Sequence, residues 1–171
     1  MSALILPYRG ILPRISPRAW LAPNATVAGD VEIAAGANLW FGVIVRGDVA
    51  PVYIGENTNL QDGTVVHVSG RRPPTRIGAN VTIGHMALIH ACTLEDGSFV
   101  GMKACICDGV VVETGAMVAA GAVVPPNKRI PTGQLWAGNP ARYLRALTAE
   151  ERAYIERLPA SYVEHAREYA E

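Results

Sequence analysis

An aliphatic residue stands at every sixth position along most of this chain: Ile15, Leu21, Val27, Ile33, Leu39 and Val45, then, after three extra residues around Pro51, Ile54, Leu60 and Val66. Five extra residues within Gly70–Arg76 precede Ile77, Ile83 and Ile89; one residue fewer then leads to Leu94, Val100, Ile106, Val112, Val118 and Val124. These make eighteen hexads in phase. Four residues after most of these aliphatics comes a small or β-branched side chain, as at Ala25, Val31, Ala37, Thr64, Ala87 and Ala104. The residue before it is usually a turn former, such as Asn24, Asp30, Gly42, Gly63, Gly97 or Gly115, which tolerates the positive φ of a sharp corner. A short strand and then a corner, repeated every six residues, describes one side of a triangular prism. Three sides make a coil, so eighteen hexads predict about six coils of a parallel β-helix, rising roughly 29 Å. A β-sandwich would instead space its strands by about 8–12 residues with hairpin turns.

The repeat resembles that of the hexapeptide-repeat proteins, and the resemblance implies a left-handed helix, which periodicity alone does not decide. Three segments are expected: a lead-in strand over 1–14, the β-helix over 15–130, and an exit loop with a C-terminal helix over 131–171. The repeat is read as stopping at Pro125-Pro126, and Pro131–Arg145 as a loop. Thr148 and Glu151 form a capping box, so a helix starts near Ala149; Pro159 is expected to interrupt it before it resumes through Tyr162–Tyr169. Ile155, Leu158 and Tyr162 share one face, expected to pack along a side of the prism, its own or a neighbour's.

Fifteen basic and fifteen acidic residues leave no net charge, so no electrostatic case exists for nucleic acid or a membrane surface. No apolar run nears the roughly 20 residues of a membrane span, and Met1–Gly10 lacks the layout of a signal peptide. Three cysteines do not make a disulfide framework; Cys105 and Cys107 point the same way along a strand, as packing residues do. A cytoplasmic protein with reduced thiols is expected.

The hexad count also places the histidines. His67 follows Val66 and His90 follows Ile89, three hexads apart, so they stack on one face about 4.8 Å apart along the axis. His85 lies two residues after Ile83, on the preceding face, where it is placed to meet the histidine pair of a neighbouring molecule in a cyclic trimer. Such a set leaves one coordination position open on a divalent ion. Spacing alone suits solvated or hydrogen-bonded histidines equally well. His165, on the C-terminal helix, has no such partner and is read as a surface residue.

Val45-Arg46-Gly47-Asp48, Asn59-Leu60-Gln61-Asp62-Gly63 leading to His67, and Gly84-His85 through His90 together resemble the γ-class carbonic anhydrases. The resemblance runs from about Ile11 to Arg145, where Gly138-Asn139-Pro140-Ala141-Arg142 is similar too. It implies His67, His85 and His90 as ligands of one divalent metal per interface of a homotrimer, zinc first and iron(II) or cobalt as alternatives. It implies Gln61 as the residue orienting the metal-bound hydroxide, Arg46 paired with Asp48 or with a neighbour's carboxylate at the interface and helping to hold bicarbonate, Asn59 in a lesser role, and Tyr162 beside the active site. The reaction implied is the reversible hydration of carbon dioxide. Two departures stand out: Val49 occupies the place of a glutamate in the archetypal archaeal enzyme, and the loop Gly70-Arg71-Arg72-Pro73-Pro74-Thr75 lacks its acidic character. Both bear on proton export, so low activity is expected. The alternatives are an acyl-CoA-dependent transferase or thioesterase of the hexapeptide type, and a non-catalytic metal-containing scaffold trimer.

Overall fold

A computed structural model of the protein describes residues 2–70 and 72–170; Met1, Arg71 of the 70–75 loop and Glu171 lie outside it. The chain is a left-handed parallel β-helix of about seven turns with one C-terminal helix. Each turn of the prism contributes a short strand to each of three faces. The first face carries, among others, Leu4–Leu6, the start of Thr26–Ile33, the start of Ile44–Ile54, Val65–His67, Leu88–His90, Cys105–Ile106 and Val123–Val124. Their inward residues stack directly, Val27 on Val45, Val45 on Val66, Val66 on Ile89, Ile89 on Ile106 and Ile106 on Val124. All six are fully buried. The hexad aliphatics are thus the core, and burying each column is what offsets the entropy of ordering so many corners.

The six coils expected become about seven because the repeat outruns its aliphatic signature at both ends. Ile5 pairs with Val27, Ile130 continues the column below Val112, and Trp136 takes the aliphatic's place below Val118. Pro125-Pro126 do not end the repeat. They lie at a corner, completed by Asn127 at φ 61°, where no ladder N–H is required. The expected exit loop likewise contains strands: Gln134–Gly138 extends the third face in parallel, and Ala141–Ala146 folds back antiparallel on it.

The helix spans Ala149–Glu168 without a break. Pro159 does not interrupt it. Proline removes one intrahelical hydrogen bond, but here it is buried with Ile155 and Ala166 on the side facing the prism. The helix runs back along the third face, against Asn38–Leu39, Asn59–Leu60 and Thr82–Ile83. It is not long and apolar enough to cross a membrane.

The start of the helix is pinned electrostatically. Thr148 Oγ1 accepts from the Glu151 N–H at 3.2 Å, the Glu151 carboxylate accepts from the Thr148 N–H at 2.9 Å, and Arg145 donates to both Glu151 oxygens at 2.8 Å. The Arg145 guanidinium, with help from the Thr148 N–H, lowers the Glu151 carboxyl from its ordinary 4.5 to about 2. A depressed carboxyl stabilises the fold above its ordinary range, and that contribution disappears as pH falls through the folded value. The stability difference between wild type and Arg145→Ala, followed by far-ultraviolet circular dichroism in urea, should therefore narrow between about pH 4.5 and pH 2.

Candidate metal centre

His67 and His90 come together because they occupy equivalent places on adjacent coils: their strands pair in register, His90 against His67. The ring centroids lie 5.2 Å apart, tilted by 54°, and His67 Nδ1 stands 3.2 Å from His90 Nε2. The outer nitrogen of each ring meets a carboxylate. His67 Nε2 is 3.1 Å from Asp48 Oδ1, and His90 Nδ1 is 2.6 Å from Asp108 Oδ1. Neutral imidazoles that donate their N–H outward to these carboxylates present two lone pairs to each other across the 3.2 Å gap. That is repulsive unless a cation, either a proton or a metal, sits between them. Two nitrogens held about 2.0–2.1 Å from a tetrahedral ion stand about 3.3 Å apart, so the gap fits two vertices of such a site.

Asp48 also pairs with Arg46, two residues before it on the same strand and one coil before His67 in the histidine column, and accepts from the Val49 N–H at 2.8 Å. Partial burial raises the Asp48 pKa, but the hydrogen bond from His67, the Arg46 charge and the Val49 N–H outweigh it and leave the carboxyl below its usual range. It is therefore an anion at neutral pH.

His85 sits apart, as its place in the hexad dictates. It occupies the corner between the third and first faces, followed by Met86 in the left-handed region at φ 61°. Backbone bonds from Met86 N to Asp62 O and from Lys103 N to His85 O stack this corner on its neighbours. His85 Nδ1 is 2.8 Å from Asp62 Oδ2. Among the described residues no group of three or more metal-ligating side chains forms within one chain.

The other predicted residues gather on the His85 side. Gln61 is buried beneath the helix; its Nε2 donates to Asn59 Oδ1 at 3.1 Å, and Asn59 Nδ2 donates to Thr82 Oγ1 at 2.9 Å. With its amide nitrogen so held, Gln61 Oε1 is free to accept. Tyr162 stands edge-on to Trp40, 5.4 Å between centroids; its phenol is raised in pKa by burial first, then by the charges of Tyr154 and Asp62. His165, read as a surface residue, is exposed but lies edge-on to Tyr162 at 5.9 Å. One chain thus brings together Arg46, Asp48, His67 and His90 on its first face, and Gln61, His85 and Tyr162 around the preceding corner.

Two carboxylates to which the sequence patterns assign no role, Asp62 and Asp108, stand against the histidines. Asp62 was legible, for it follows Leu60 by two as His85 follows Ile83 by two. Asp108 was not, because it reaches His90 from the corner of the next coil. The two departures from the archaeal pattern prove adjacent in space: a Cβ on Gly70 would lie 3.5 Å from Val49 Cβ. The exposed Val49 and the proline-rich loop make one patch without a carboxylate among its described residues.

A prism of hexads carrying carboxylate-backed histidines defines the class as a hexapeptide-repeat protein with a candidate divalent-metal centre. Comparison with known proteins narrows it. The model of the "Hexapeptide repeat of succinyl-transferase" matches residues 92–126. The chain is 50% identical over 163 residues to γ-carbonic anhydrase 2, mitochondrial, of Arabidopsis thaliana, covering 92% of this chain and 59% of that relative. It thus spans less than two thirds of the plant protein's length. It is 37% identical to the carbonic anhydrase of Geobacillus kaustophilus, covering 97% of this chain and 91% of the relative. The crystal structure of a hexapeptide transferase family protein from Anaplasma phagocytophilum superposes with a TM-score of 0.94 at 43% identity, covering 97% of this chain and 98% of that one. The chain belongs to the γ-class carbonic anhydrase-like family of hexapeptide-repeat proteins.

Proposed function

We propose that this protein is a cytoplasmic, homotrimeric metalloenzyme that hydrates carbon dioxide reversibly to bicarbonate, with one zinc ion at each subunit interface. The observation that carries the reading is the 3.2 Å gap between His67 Nδ1 and His90 Nε2, walled by Asp48 and Asp108, which asks for a cation. His85 of an adjacent copy supplies the third nitrogen. The surface around these groups supports the pairing. Ile44 and Leu88 on the first face, and Met86 and Met102 at the His85 corner, are 39–62% exposed, an apolar area that a neighbour would cover.

A divalent ion held by His67, His90 and the adjacent copy's His85 would lower the pKa of water toward neutrality and so supply a nucleophile at neutral pH. Gln61 contributes an acceptor in Oε1, aimed by the Asn59–Thr82 chain. Arg46, half-exposed beside Asp48, offers a cation for bicarbonate. Tyr162 lines the same side through Trp40. Among the described residues the Val49–Gly70 patch holds no carboxylate to accept a proton, so proton export to buffer limits the rate.

Anaerobic purification with elemental analysis, followed by stopped-flow hydration, tests the reading. We expect about one metal per chain and hydration that is lost with a chelator and returns with zinc. A metal content far below one after growth in metal-supplemented medium would refute it. Acyl-CoA turnover by the metal-stripped protein would instead favour a transferase, the class named for the Anaplasma neighbour. Hydration left unchanged by His90→Ala would favour a scaffold.

A further inference from the structure

We propose that Asp108 is the positioning residue that fixes the tautomer and orientation of His90, with Asp62 acting likewise on His85. Each histidine then carries its proton on Nδ1 and presents Nε2 to the cation. The inference rests on the metal-site reading above.

The distances carry it. His90 Nδ1 stands 2.6 Å from Asp108 Oδ1, and His85 Nδ1 2.8 Å from Asp62 Oδ2. Hydrogen-bonded to a carboxylate at that distance, His90 Nδ1 bears the proton and the ring's other nitrogen keeps its lone pair, while Asp62 and His85 face each other as an ion pair. In His90 that other nitrogen is Nε2, the atom facing His67.

Comparison with other aspartates of the prism excludes a capping role. Asp48 Oδ1 accepts from the Val49 N–H and Asp96 Oδ1 from the Ala79 N–H, each stapling backbone at a corner. Among the described residues Asp108 accepts from no backbone N–H. Among the described residues its carboxylate bonds only to His90. Its corner is fixed through the main chain instead: Gly109 N donates to Ala91 O at 2.8 Å and Asn127 N to Asp108 O at 2.9 Å. The side chain is thus spared from structural duty and held over His90 by a rigid coil. Asp62 and Asp108 approach from opposite directions along the prism axis, one from the coil before its histidine and the other from the coil after.

The test compares metal-stripped wild type with Asp108→Ala, Asp108→Asn and Asp62→Ala. Zinc affinity, measured by chelator competition, should fall about 10–100-fold in each alanine variant and less in Asp108→Asn, whose amide oxygen still accepts from Nδ1. Nitrogen-15 spectra of the histidine side chains, taken without metal, should show His90 protonated at Nδ1 in wild type and shifted toward Nε2 in Asp108→Ala. The thermal midpoint without metal should stay nearly unchanged, which a structural role would not allow. Zinc affinity within twofold of wild type in Asp108→Ala, or an unaltered His90 tautomer, overturns the proposal. Should Asp108→Ala not fold, unchanged affinity in Asp62→Ala together with Asp108→Asn overturns it as well. Failure of wild type itself to hold zinc would defeat the metal-site reading, while the tautomer spectra would still decide the role of Asp108.

Discussion

Chains carrying His85→Ala, when refolded together with equal amounts of chains carrying His90→Ala, should recover about one-quarter of the wild-type metal content, whereas either variant alone holds almost none. The expectation follows from the two locations of the histidines. His67 and His90 lie in register on the first face, while His85 belongs to the corner before it. In a cyclic trimer each site takes the pair from one subunit and His85 from the next. The His85→Ala chain keeps an intact pair, and the His90→Ala chain keeps an intact His85. Any mixed trimer, whichever variant contributes two copies, has one boundary where intact pair and intact His85 meet. Losing one of three ligands should weaken binding by several kcal/mol, enough to empty the site during dialysis. Metal per trimer, read by elemental analysis after size-exclusion chromatography, checks the result. Full occupancy in either homogeneous variant would show that one chain supplies all the ligands. Recovery of nothing in the mixture would show that the histidines do not meet between chains.

The sites of these histidines could be placed from sequence because the hexad is arithmetic. Once Val66 and Ile89 share a column, residues 67 and 90 must share the next one, and the insertion at 70–76 leaves the phase intact by looping outward. Orientation was less legible. Which ring nitrogen faces inward depends on Asp108, whose side chain crosses from another coil, and register does not report such reaches. The ends of the prism were lost for a different reason. A search for aliphatics passes over Trp136, and two prolines look like a stop until they are seen to occupy a corner. At Pro159 local propensity was overridden by packing, since the residue is buried against the prism and the helix continues on both sides.

Family membership fixes the frame, yet the rate depends on what surrounds the centre. Val49 and Gly70 are neighbours, so the two substitutions that set this chain apart from the archaeal pattern are one local change in chemistry. A site can keep its ligands while losing the route by which protons leave, and the first property resides in the prism's register while the second resides in an inserted loop.

The register itself should prove most sensitive at Ile89. This side chain is fully buried, stacked between Val66 and Ile106, on the strand that ends in His90. Ile89→Ala removes methyl and methylene groups from a column whose neighbours are fixed by ladders on either side and cannot collapse into the space. The cost should be about 2–5 kcal/mol. Urea unfolding at a fixed chain concentration should show an earlier midpoint with an unchanged slope. Leu88→Ala, one residue away and pointing outward, provides the contrast: Leu88 is 39% exposed, so unfolding of the isolated chain should change by no more than about 0.5 kcal/mol. Its effect should fall instead on assembly, as a trimer that dissociates at higher chain concentration. A loss below about 1 kcal/mol at Ile89 would mean that the inner column does not hold the coils in register. The stacking of His67 on His90 would then need another cause.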